Sequence, residues 1–214
     1  MKKIFVIYKQ SFCKTKEECG VIEWFNCYHD FYDCYAELMN NYTLAYKSLK
    51  SESNPQDISV QNVIDTLENN NKFVITFDVY DKKPDAEHAY NIVVKTVMTP
   101  EKTQNLYLTY VEYIWNIAAI ECGDFKECPE IKCENDAVNW FANQLRAALK
   151  KDCLSPNVYA TDEDKFIVYD VLANNNNSLG DRIVDGENTM AYTFREPNSA
   201  ADDYQIVCFR CEIQ

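Results

Sequence analysis

Between Phe25 and Leu49 apolar residues recur at alternating intervals of three and four: Phe25, Tyr28, Tyr32, Tyr35, Met39, Tyr42, Tyr46, Leu49. This is the a/d spacing of a heptad, and it predicts one long helix over about residues 16–50, roughly 50 Å from end to end. Thr15-Lys16-Glu17-Glu18 reads as a capping box at its start, and Ser51, Ser53, Asn54 and Pro55 end it. Five of the eight stripe members are tyrosine, so an apolar face ends in hydroxyl groups. Such a face suits protein, water or a partner. A further column of Trp24, Phe31, Leu38 and Ala45 widens it beyond a two-stranded coiled-coil stripe. The expected role is therefore a scaffold helix buried in the fold, with a homodimer through the Phe25–Leu49 seam as its alternative use.

The rest of the chain alternates between periods of two and of 3.6. Residues 3–8 read as a first strand. Asn54-Pro55 opens a second helix containing Ile58, Val60, Val63, Ile64 and Leu67, which Asn69-Asn70-Asn71 stops. Residues 72–80 and 90–98 form a hairpin around Asp81-Lys82-Lys83-Pro84-Asp85. Thr99-Pro100 starts a third helix with Tyr107, Tyr110, Val111, Ile114, Ile117 and Ala118 on one face, ended by Gly123. A fourth helix spans about residues 135–151, and strands follow at 165–172, 189–195 and 204–213. The order is β-α-α-β-β-α-α-β-β-β, without a convincing internal repeat. The expected fold is α+β: a mostly antiparallel sheet of about five to six strands covered by four helices, one of them long (about residues 16–50), in a single domain over 1–214.

Charge bounds the partners. The net charge of −13 is unevenly placed: residues 1–50 hold 7 basic and 6 acidic side chains, and residues 51–214 hold 14 and 28. That field repels phosphates and anionic membranes, so no direct nucleic-acid binding and no membrane association are expected. It attracts a basic protein. The apolar run at Ile4–Tyr8 stops at Lys9, too short for a signal peptide, and no stretch approaches the roughly 20 apolar residues of a membrane span. The ten cysteines then read as reduced thiols in a cytoplasmic protein. The alternative is a disulfide-bonded secreted protein lacking its signal segment.

Few residues converge on chemistry. The sequence holds neither a nucleophile elbow nor a phosphate-cradling glycine loop, and neither a dinucleotide fingerprint nor a His-Glu-x-x-His motif. Its two histidines, His29 and His88, read as surface or packing residues. Cys208-x-x-Cys211 falls within a strand, where residues three apart face opposite ways, and Cys122, Cys128 and Cys133 in one loop are spaced too widely for a zinc knuckle. No catalytic residue, cofactor or metal is assigned. What remains is a set of acidic loop residues: Asp162, Glu163, Asp164, Asp181, Asp185, Glu187, Asp202 and Asp203. They define the expected function, a non-enzymatic interaction protein presenting acid to a basic partner, including inhibitors of viral or phage origin that imitate nucleic acid. The competing readings are an enzyme with a nonstandard carboxylate or thiol site, a secreted disulfide-bonded binder and a self-assembling structural protein.

Overall fold

The computed structural model describes residues 1–13, 21–49, 57–80, 87–117, 120–150, 189–195 and 202–214. Where one domain is expected over 1–214, the described residues gather into two compact units, Met1–Gln104 with Glu212–Gln214 and Asn105–Cys211.

In the first unit, β1 (Lys2–Cys13), β2 (Val21–Tyr28), α1 (Phe31–Leu49), α2 (Val60–Asn70), β3 (Lys72–Tyr80) and β4 (Glu87–Thr99) follow in order. The strands form one antiparallel sheet in the order β2-β1-β4-β3. The expected pairing of these two strands is present as β3 and β4, antiparallel, with Phe73, Ile75 and Phe77 opposite Val94, Ile92 and Tyr90. Those six side chains and Ile7 form one face of the sheet, and Cys34, Leu38 and Ala45 of α1 with Val63 and Leu67 of α2 close over it. Each large aliphatic side chain buried there contributes about 1.5–3 kcal/mol. The opposite face is buried too, at Ile4, Val6, Tyr8 and Val93.

The long helix of the sequence reading is shorter than expected. Its first half, Val21–Tyr28, is strand β2, and the seam residues Phe25 and Tyr28 pair with Tyr8 and Phe5 of β1. β-Branched and aromatic side chains fill that segment, and they fit a pleated surface better than a helix. Asp30 then starts α1: its carboxylate accepts the Tyr32 N–H at 2.7 Å, the bond an N-cap makes. The expected capping box at Thr15 lies outside the described residues. Within α1 the buried face is Cys34, Leu38 and Ala45, with Phe31, Tyr35 and Tyr42 packed at its edge. Leu38 and Ala45 of the column that merely widened the seam thus form the core stripe together with Cys34. The seam tyrosines are its rim: the Tyr28 hydroxyl donates to Glu37, and the Tyr35 hydroxyl donates to the Ile58 carbonyl at 2.8 Å.

Helix α2 begins at Val60, with the Ser59 hydroxyl accepting the Asn62 N–H, so Ile58 precedes the helix instead of lying inside it. It ends where the asparagine run predicts. Asn71 takes the left-handed conformation at φ 55° and returns its N–H to the Leu67 carbonyl at 2.9 Å, a cap that asparagine tolerates.

The second unit comprises β5 (Asn105–Ile117), β6 (Ile120–Lys132), α3 (Glu134–Lys150), β7 (Thr189–Arg195) and β8 (Asp202–Glu212), with strand order β6-β5-β8-β7. The expected third helix is absent from its place: that segment is β5, which turns back into β6. Leu106 through Glu112 are all buried, so the strand is covered on both faces and lacks the alternation that would mark it. Its apolar run happens to satisfy helical spacing as well. Consequently Cys122 and Cys128 lie in β6, not in a loop, and Cys133 sits at the β6–α3 junction. The expected fourth helix is α3, with Ala137, Val138 and Phe141 buried. The strand expected at 165–172 lies outside the described residues.

The fold is α+β, as the sequence implies, but the described residues build two four-stranded antiparallel sheets and three helices. Among the described residues each unit holds an antiparallel strand pair, a helical segment and a second antiparallel strand pair, with its first and last strands adjacent in the sheet. The repeat missed in the sequence is a repeat of topology. No helix among the described residues is long and apolar enough to cross a membrane.

Candidate functional site

The first unit carries an open groove of about 640 Å³ lined by Lys2, His29, Glu101, Lys102, Thr103, Gln104, Glu212 and Ile213. Backbone bonds build it. The Ile213 N–H donates to the Gln104 carbonyl at 2.9 Å, the Gln214 N–H donates to the Cys27 carbonyl at 2.9 Å, and the His29 N–H donates to the Gln214 carbonyl at 2.7 Å. Cys27 and Ile213 thereby form a parallel bridge, so the C-terminal residues lie along the end of β2. The opposite wall is a turn after β4 that the Thr103 N–H closes onto the Pro100 carbonyl at 3.1 Å. The sequence reading took this Pro100 segment for a helix start.

The groove mixes charges of both signs. Lys2, Lys102 and His29 stand with Glu101 and Glu212, and Glu101 pairs across 3.5 Å with the N-terminal ammonium. His29 is exposed, and neither a cysteine nor a serine is among the lining residues. The arrangement suits a polar segment carrying both charges. His29 itself sits in the turn between β2 and α1, not on the edge of a helix. His88 lies in β4, opposite Cys13 and Val79.

Most of the acidic residues singled out from the sequence, Asp162, Glu163, Asp164, Asp181, Asp185 and Glu187, lie outside the described residues. Asp202 and Asp203 do not belong to a loop: they open strand β8, where Asp203 is opposite Arg195 of β7. Exposed acid that the sequence reading did not select lies on helices instead. Asp65 and Glu68 are exposed on α2, a helix without a basic residue, and Glu134 and Asp136 are exposed in the first turn of α3. Their spacing, two residues on one helical face and two at a helix start, was legible but unremarkable. Acid in a first turn favours helix formation whatever its function.

Three free thiols differ sharply in environment. Burial pushes the Cys34 thiol up from its ordinary 9.0 to about 12, assisted by the charge of Glu37. Burial alone pushes Cys208 further up, while Cys128 is exposed. At equal pH, Cys34 holds about a thousandfold less thiolate than an ordinary cysteine, and the thiolate is the reactive form. Alkylation of the native protein is therefore expected to mark Cys128 well before Cys34 and Cys208, which stay unmodified until the chain unfolds. Peptide mapping after a brief iodoacetamide pulse checks this; early label on Cys34 would contradict it. Cys211 is buried like Cys208, and among the described residues no group of three or more His, Cys, Asp or Glu side chains is placed to hold a metal ion. No protein-family model matches the chain, nor does any curated protein or any solved structure.

Proposed function

We propose that the protein is a non-enzymatic interaction protein that presents an acidic surface to a basic protein partner. Charge placement carries the reading: the net −13 arises wholly after residue 50, where 28 acidic side chains face 14 basic ones. The exposed acids of α2 and of the α3 first turn support it within the described residues. So does the burial of Cys34 and Cys208, which removes two thiols from the candidates for a nucleophile. The partner-binding set is Asp162, Glu163, Asp164, Asp181, Asp185, Glu187, Asp202 and Asp203. A surface of this kind works by steering a cationic partner and holding it through screened charge pairs. An inhibitor that imitates nucleic acid is one form of it.

The test is capture of partners from the native cell on immobilised full-length protein. Captured protein should be basic and should elute at about 0.5 M salt, where the screening length falls to roughly 4 Å. Neutralising Asp162, Glu163 and Asp164 together to their amides should reduce capture by about tenfold or more, as loss of close charge pairs does. A partner that survives both treatments would remove the acidic surface as the basis of function.

A further inference from the structure

One flank of α1 is apolar and symmetric about its own midpoint, with exposed tyrosines at its ends and a half-buried Met39 at its centre. Tyr32 is 64% exposed and Tyr46 is 52% exposed, while Leu38, one residue before Met39, is fully buried. At about 100° per residue, Tyr32, Met39 and Tyr46 fall within roughly 40° of one another, so they form a straight stripe along the helix. Tyr46 stacks on Tyr42 with ring centroids 6.1 Å apart, and Tyr32 meets Phe31 edge-on at 5.5 Å, so the exposed rings are continuous with those at the core's edge. Ala36 and Thr43 lie beside the stripe on its solvent side. Both are short and let another helix approach closely.

We propose that this flank, Tyr32–Met39–Tyr46, is a two-fold interface on which α1 of a second copy of this chain docks antiparallel. The pattern is a palindrome: tyrosine, six residues, Met39, six residues, tyrosine. An isologous contact requires such self-complementarity, because each residue must suit the place its own symmetry mate leaves. In the antiparallel pair Met39 packs on Met39 at the axis, and each Tyr32 packs against the Tyr46 of the second copy.

Charge fixes the direction. Asp33 lies six residues before Met39 and Lys47 eight residues after it, both exposed and both on the same side of the stripe. A two-fold axis perpendicular to both helices keeps that side common to the pair, so Asp33 comes within about 3 Å along the axis of Lys47 from the second copy, twice over. A parallel pair would instead set Asp33 level with Asp33 on opposite sides of the contact and leave Lys47 about 21 Å further along, so neither charge would gain a partner. The antiparallel pair also opposes the two helix dipoles favourably. The location is apt as well: residues 1–50 are near neutral, with 7 basic and 6 acidic side chains, so two copies of a −13 chain meet where repulsion is least. None of this depends on the acidic-surface reading.

Sedimentation of the full chain as a function of concentration tests the proposal. A dimer should form with Kd below about 100 µM, the range of a modest specific interface. Met39→Arg, which places two like charges on the axis, should give monomer at all such concentrations. Lys47→Glu should weaken the dimer by about tenfold, and adding Asp33→Lys to it should restore the dimer, since the pair is then swapped and not lost. Both charged positions are exposed, so the swap leaves folding intact, which a thermal melt in dilute solution verifies. A wild-type monomer throughout, a dimer that survives Met39→Arg, or a charge swap that fails to recover what Lys47→Glu loses would each overturn it.

Discussion

Replacing Leu38 with alanine is expected to lower the folding stability by about 2–5 kcal/mol, the cost of a large-to-small change in a packed core. Met39→Ala, one residue along, should lower it by about 0.5 kcal/mol or less in dilute solution. The contrast follows from geometry. Leu38 is fully buried between Cys34 and Ala45 in the cluster that includes Phe73, Ile75 and Phe77, so truncation removes contacts and leaves a cavity. Met39 is rotated about 100° away and is only half-buried, so truncating it removes fewer packing contacts and leaves a site that water reaches. A heptad scaffold helix would give the reverse order, because Met39 is a seam position and Leu38 is not. Denaturant titration of both variants, at concentrations too low for self-association, separates the two. Equal losses would return the tyrosine seam to the core.

That contrast also shows why the seam was misread. A spacing of three and four identifies a face, but it does not say which of two adjacent apolar columns is inside. On α1 the column of smaller side chains, Cys34, Leu38 and Ala45, reaches the sheet, while Tyr35 extends from the rim to the Ile58 carbonyl and Tyr28 of β2 reaches Glu37. Short residues let the helix sit close to the strands, and long amphipathic ones are used where distance and water must both be met. The hairpin of β3 and β4 was legible because one of its faces alternates, Phe73, Ile75 and Phe77, and because an asparagine run and a charged loop bound it. Strand β5 was not, since burial on both faces erases alternation. Strand β2 failed for a third reason: its Trp24 and Tyr28, four apart, satisfy the helical and the strand period together. The acidic reading was legible as charge but not as a place. Asp202 and Asp203 open strand β8, while the helices α2 and α3 expose acids that composition alone could not distinguish from ordinary solvated surface. The duplicated topology was invisible because the order of strands in a sheet is set by non-local pairing.

The second large effect is expected at alkaline pH, where four buried acids turn from neutral passengers into a destabilising load. Burial pushes the Cys34 thiol from 9.0 to about 12, with Glu37 adding to it. Burial pushes the Tyr90 hydroxyl from 10.0 to about 12, with Glu23 adding to it. Cys208 and Tyr110 are raised as well, Cys208 by burial and Tyr110 by burial first and the charge of Glu112 second. Each group is neutral when protonated, and each binds its proton more tightly in the folded chain. Below pH 9 both folded and unfolded states hold these protons, so the contribution to stability is complete and flat. Above the ordinary thiol and phenol values the unfolded chain releases them first, and stability falls as pH rises toward the raised folded values. Each group steepens the fall by up to 1.4 kcal/mol per pH unit, and Cys34 alone accounts for about 4 kcal/mol across its window. A domain stable by about 5–15 kcal/mol does not survive several such groups titrating together. Denaturant midpoints in the presence of reductant should therefore hold level to about pH 9 and decline steeply between about pH 10 and 12. Cys34→Ala, a small change in volume, removes one group and should flatten that decline while lowering stability at neutral pH. A midpoint that stays level through pH 11, or an alanine variant with an unchanged slope, would mean that these groups reach water before the chain unfolds.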